Sequence, residues 1–199
     1  MPKPSHREKF LKAGFKVILE RGYCGASVRD IVQAAGAPQG SFTNHFASKE
    51  AFCLEVLNRY VAVMEQNIHC TLRNDAAKPL ARLEEWLDFL IGYLKRLGMR
   101  NGCLIVNLSA EASEHSELIR KRLSEIYREV RLALVYCLDA AVKTKELPSS
   151  TDCDQLAYFL YAALHGAILQ SKIANNAVPL ERFKKTLFAL VLRPVPPRQ

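Results

Sequence analysis

Five polar side chains on one short stretch, Gln39, Ser41, Thr43, Asn44 and His45, have the types and spacing to do chemistry, namely hydrogen bonding to DNA. Glutamine and asparagine can bond an adenine edge bidentately, whereas serine and threonine are less selective. Gly40 lets the backbone approach a partner closely. His45 suits a phosphate contact or packing against the first helix. Phe42 and Phe46, four apart, read as core anchors that turn the polar residues outward. Ser27 and the neighbouring backbone N–H groups sit at a helix start, where phosphate is attracted, and Lys49 opens the next helix in the same way. Arg29 can reach a phosphate or a base edge.

The elements that must position these residues can be read around them. Ser27 precedes an apolar-periodic run (Val28, Ile31, Val32, Ala35), with Asp30 three residues on in the manner of a capping box. Gly36 stops that helix with a left-handed cap, and Pro38 is pre-set for the first turn of a second short helix over 39–46. The pair predicts a helix-turn-helix. A first helix starts at Ser5 with Glu8 completing a capping box, buries Phe10, Leu11, Phe15, Ile18 and Leu19, and ends near Gly22. A long fourth helix runs from after Ser48 to about Arg73. Beyond the loop 74–79, apolar spacing predicts helices near 80–98, 104–112, 115–145, 152–174 and 179–192. The fold class is therefore all-α. A small helix-turn-helix domain occupies 1–50 and extends into a linking helix over 49–73. A larger helical domain covers 51–192, and a proline-rich, mobile tail follows at 193–199.

With 199 residues and 49% hydrophobic side chains the chain can bury a full core. Its net charge is +8, and residues 1–50 carry eight basic against four acidic side chains, so half the excess sits in a quarter of the chain. That bias suits an anionic partner such as double-stranded DNA. No signal peptide and no membrane-spanning apolar run are evident, so no membrane partner is expected. Six cysteines lie far apart without CxxC or Cys/His ligand spacing, which reads as reduced cytoplasmic thiols, with no metal site. No HExxH, GxSxG or glycine-rich phosphate loop is present, so neither an enzyme nor a cofactor is expected.

The segment Gly36, Gly40-Ser41-Phe42-Thr43-Asn44-His45-Phe46 and Ser48-Lys49-Glu50 closely resembles the DNA-binding segment of TetR-family transcriptional repressors. The resemblance is strong over about residues 6–60. It implies a phosphate-binding role for Lys49 and a ligand-gated repressor released from a palindromic operator. The family often carries tyrosine where this chain has Thr43, which shortens a phenol contact to a hydroxyl. A sequence-tolerant architectural DNA binder is the alternative; it explains the charge but not the large apolar second domain.

One recognition helix offers few base contacts, so a homodimer is expected, with half-sites ~34–36 Å apart or a multiple of it. The last two helices carry the stripes Leu156, Leu160, Ala163, Leu164, Ala167 and Phe183, Leu187, Leu190, Val191 that suit it. The resemblance also implies a cavity for a small-molecule inducer among the middle helices, with Trp86, Phe89, Tyr93, Asn107, Tyr127, Tyr158, Tyr161 and His165 as candidate lining. The segment 100–111 resembles a Gly-Cys-Leu…Asn-Leu…Glu motif of a TetR subgroup that includes repressors of electrophile and aldehyde detoxification genes. Cys103 follows a glycine turn at a helix start, a position that lowers a thiol pKa, and Lys172 is a candidate cation for it. Covalent sensing at Cys103 stands beside a buried structural cysteine as the two readings.

Overall fold

A computed structural model describes residues 6–192; Ser5, the expected first cap, and the tail 193–199 lie outside them. Among the described residues there are eight α-helices and no strand: α1 (His6–Gly25), α2 (Val28–Ala35), α3 (Lys49–Cys70), α4 (Pro79–Leu97), α5 (Leu104–Glu111), α6 (Glu117–Lys143), α7 (Cys153–Ala174) and α8 (Val178–Thr186). α8 continues into a wider turn over Leu187–Val191. No described helix is long and apolar enough to cross a membrane.

The chain forms two compact units. The first holds the described residues through Ala62 together with Cys103–Glu125; the second holds Val63–Gly102 and the described residues from Ile126 onward. α5 and the first turns of α6 thus join the helix-turn-helix elements.

In the first unit α2 is punctuated as its sequence dictates. The Ser27 hydroxyl accepts from the Asp30 N–H at 3.1 Å, and the Asp30 carboxylate accepts from the Ser27 N–H at 2.9 Å. The Ser27 hydroxyl, which also donates to the Asp30 carboxylate, and then the Ser27 N–H hold that carboxyl below its usual range, with Arg21 adding to the effect. Gly36 ends the helix at φ 59°, ψ 38°, donating to the carbonyls of the last turn. α1 is interrupted where expected, at Gly22, but resumes for three residues.

The largest departure is the second short helix. Gln39–Ser41 is a single 3-10 turn, followed by bonds from the His45 and Phe46 N–H groups to the Phe42 carbonyl, both 3.0 Å. The local chemistry explains it. The Ser41 hydroxyl donates to the Pro38 carbonyl at 2.6 Å and that of Thr43 to the Gly40 carbonyl at 3.2 Å, which offers the backbone alternatives to a helical ladder. Gly40 adds a propensity cost of about 1 kcal/mol.

The second unit is built on α4, α6, α7 and α8. The carbonyl of Pro79 accepts from the Cys137 thiol, and α4 and α8 are tied by Lys184 to Glu84 and Asp88. Of the apolar stripes read for dimerisation, Leu160, Leu164, Ala167 and Leu187 are buried in this unit's own core. Leu190 and Val191 of the second stripe are exposed, as are Phe159 and Ile173 on α7 outside the first. Heptad spacing identifies apolar positions but not which of two neighbouring stripes faces inward.

Candidate functional site

Four phenylalanines fix the recognition segment. Phe10 of α1, Phe42, Phe46 and Phe52 of α3 are at most 5% exposed, with ring centroids 4.7–6.2 Å apart. Burying each ring contributes roughly 2–3 kcal/mol, and edge-to-face pairs add about 1 kcal/mol each. With Phe42 and Phe46 held inward, Gly40, Thr43 and Asn44 are left exposed, and Ser41 is half-buried with its hydroxyl turned to Pro38. The Gln39 side chain lies outside the described residues. His45 is half-buried, its ring 6.0 Å from that of Phe10, so it packs on the first helix. Arg29 is exposed on α2, and the Ser27 hydroxyl is engaged in its capping box.

Lys49 has a structural task beyond the expected phosphate contact. Its Nζ donates to the Tyr23 carbonyl at 2.9 Å and the Ala26 carbonyl at 3.1 Å, and it sits 4.4 Å from the centre of the Tyr23 ring. An ammonium has three protons, so one remains for a phosphate. Lys49 thereby closes the link between α1 and α2 from the carbonyl side.

Glu111 closes the same link from the amide side. Its carboxylate accepts from the Tyr23 N–H at 2.9 Å and the Cys24 N–H at 3.1 Å. These two groups need a partner because Gly22, at φ 75° and ψ 179°, breaks the helical ladder. A Cβ on Gly22 would lie 2.1 Å from a Glu111 oxygen. Asn107, one turn earlier on α5, donates to the Leu19 carbonyl at 3.5 Å. The Asn and Glu of the quoted motif therefore both face the backbone of α1. The sequence alone assigns Glu111 no role, since nothing in its own neighbourhood names a partner 88 residues away.

Cys103 caps the start of α5 and is 5% exposed. The Tyr60 hydroxyl donates to its sulfur at 3.3 Å. Burial raises the thiol pKa above its ordinary value and outweighs the Tyr60 hydroxyl and the amides of Val106 and Ile105, which favour the thiolate. The expected helix-start activation is thus overridden by desolvation. All six cysteines are free thiols, Cys24 and Cys70 being exposed. Among the described residues no group of three or more His, Cys, Asp or Glu converges as a metal site.

The remaining candidates belong to the second unit. Trp86 is buried in α4; Phe89 and Tyr93 stack on each other at 5.9 Å. Lys172 is half-buried in the last turn of α7. Tyr127, Tyr158, Tyr161 and His165 do come together, around a cavity of about 400 Å³ that also includes Arg128 and Arg131. The Tyr127 hydroxyl lies 3.1 Å from His165 Nδ1, and burial pulls the imidazole pKa down to about 4. The two arginines were missed; a spacing of four residues puts Arg131 on the Tyr127 face of α6, whereas Arg128, one residue on, points about 100° round the helix and only the cavity itself shows it.

Residues 10–56 match the family model described as bacterial regulatory proteins, tetR family, and residues 79–187 match the tetracyclin repressor-like C-terminal domain. The chain is 37% identical to the HTH-type transcriptional repressor DhaR of Mycobacterium sp. (strain GP1), covering 94% of this chain and 92% of that one. It is 32% identical to the HTH-type transcriptional repressor NemR of Escherichia coli (strain K12), covering 88% of each. Among solved structures, regulatory protein TetR from Rhodobacter sphaeroides superposes with a TM-score of 0.86 at 27% identity, over 92% of this chain and 97% of that one. The reduced form of E. coli NemR gives 0.80 at 31% identity, over 92% and 95%. With both halves matched in order, the chain belongs to the TetR family of bacterial regulatory proteins and is a helix-turn-helix transcriptional regulator, not an enzyme.

Proposed function

We propose that the chain acts as a homodimeric repressor that binds a near-palindromic operator and leaves it when a small molecule occupies the second unit. The observation that carries the reading is the recognition segment, where Thr43 and Asn44 are exposed over a buried phenylalanine cluster. Such a mount holds the two side chains at fixed positions, and the Thr43 hydroxyl, which donates to the Gly40 carbonyl, keeps its lone pairs free to accept. The relatives DhaR and NemR, both named transcriptional repressors, support the direction of control.

Dimerisation is drawn through α7 and α8. Their exposed apolar residues include Ile173 at 86% and Leu190 at 59%, and a groove of about 500 Å³ between them is lined by Phe159, Ala163, Gly166, Phe183 and Val191. Small residues at Ala163 and Gly166 permit close helix approach. Release requires only that the ligand prefer the DNA-incompetent state. Reversible occupation is favoured over covalent chemistry at Cys103 because that thiol is buried and its pKa raised.

The test is selection of bound sequences from a random duplex pool, with sedimentation at micromolar protein. A palindromic consensus bound at least ~10³-fold more tightly than random duplex, by a dimer, is the expected result. A monomer, or a steep salt dependence with little sequence preference, would overturn the reading in favour of an architectural binder.

A further inference from the structure

The cavity between α6 and α7 combines two kinds of wall. Tyr127, Tyr158, Tyr161 and His165 supply aromatic surface, and Arg128 and Arg131 supply guanidinium groups. The rings of Tyr127, Tyr161 and His165 lie 4.3–5.3 Å apart, tilted or edge to face. Such an arrangement presents ring faces and edges to anything lodged beside it. Its volume of about 400 Å³ is at the small end for a ligand pocket.

Charge narrows the ligand further. No carboxylate lines the cavity among the described residues. Arg131 is paired with Asp154, whereas Arg128 is exposed and has no ion-pair partner among the described residues. His165 is neutral at ordinary pH, because burial disfavours its charged form. The walls therefore carry one uncompensated positive charge, in a forked geometry that matches a carboxylate.

The geometry points to a binding site for a small aromatic carboxylate, one or two rings in size with a single negative charge, its ring among Tyr127, Tyr161 and His165 and its carboxylate on Arg128. As the identity of an inducer this rests on the repressor reading, but as a binding site it stands independently. Arg131, already paired, closes the rim, and Tyr158, 67% exposed, is the side chain free to fold over a bound ring.

The test is calorimetric titration of the full chain with trans-cinnamate, benzoate and the uncharged trans-cinnamamide. Cinnamate binds, and the amide binds about tenfold or more weakly, because a charge-assisted bond to Arg128 is lost. Arg128→Gln lowers cinnamate affinity by a similar factor, while Arg120→Gln, which removes a guanidinium paired to Glu117, leaves it unchanged. Arg128 is exposed, so its variant folds; if it did not, the acid–amide pair on the unaltered protein still decides. Equal affinity for acid and amide, no binding at ~10 mM acid, or indifference to Arg128→Gln overturns the site. Operator release is measured separately on the selected duplex. Cinnamate bound through Arg128 without release keeps the site and removes the inducer reading. An intact, specific operator complex with no acid bound removes the site and leaves the repressor reading standing.

Discussion

Gly22→Ala is the substitution on which the account of the first unit most depends. Two costs combine at this residue. The backbone sits at φ 75°, ψ 179°, a region essentially reserved for glycine, so an alanine there is strained by about 1–3 kcal/mol. The new Cβ would also lie 2.1 Å from Glu111 Oε2 and 2.7 Å from Oε1, which forces the carboxylate away. Displacing it strips the Tyr23 and Cys24 amides of their acceptor, for a further ~1–3 kcal/mol after allowing for their partial exposure. The expected loss is therefore roughly 2–6 kcal/mol, a large share of a typical domain's stability. Glu111→Ala incurs the second cost without the first. In a double-mutant cycle the combined variant should lose about 1–3 kcal/mol less than the sum of the singles, because the carboxylate can be displaced only once. Urea unfolding followed by circular dichroism gives the energies, and amide exchange at Tyr23 and Cys24 locates them. A Gly22→Ala protein within ~0.5 kcal/mol of the parent, or strictly additive variants, would refute the clamp.

His165 makes stability fall in mild acid. Its folded pKa of about 4 lies below the ordinary 6.5, so the unfolded chain takes up the proton first. The contribution is complete above pH 6.5 and is lost as pH falls towards 4, by up to ~3 kcal/mol; His165→Asn should flatten that slope, and urea midpoints equal at pH 7 and pH 5 in the parent protein would contradict it. Iodoacetamide should label the exposed Cys24 and Cys70 well before Cys103, whose buried thiol has a raised pKa; mass-spectrometric labelling rates with Cys103 fastest would restore a sensing role for it.

Local chemistry was legible in the sequence wherever it is closed within a few residues. The Ser27–Asp30 capping box, the Gly36 stop and the interruption at Gly22 are decided by residues within one turn of each other, and all three are present. Periodicity likewise located α4, α6 and α7 to within two residues, whereas α8 stops at Thr186, six short of the expected 192, and gives way to the wider turn over Leu187–Val191. It did not show that Ser41 and Thr43 would return their hydroxyls to the backbone and shorten the recognition helix to a turn. Tryptophan and tyrosine at plausible helical positions looked alike on paper. Only packing separated the buried Trp86 from the Tyr127, Tyr161 and His165 that share a cavity.

By itself the sequence determined that this is an all-helical chain with a DNA-reading module, because caps, turns and apolar periods are short-range and the recognition residues are contiguous. The tertiary structure decided what the distant residues do. Glu111 reaches the amides at the Gly22 break, Lys49 holds the carbonyls beside it, and burial turns Cys103 from an activated thiol into a protected one. Those outcomes depend on which surfaces meet and how much water is excluded between them, and neither is encoded in any local stretch of residues.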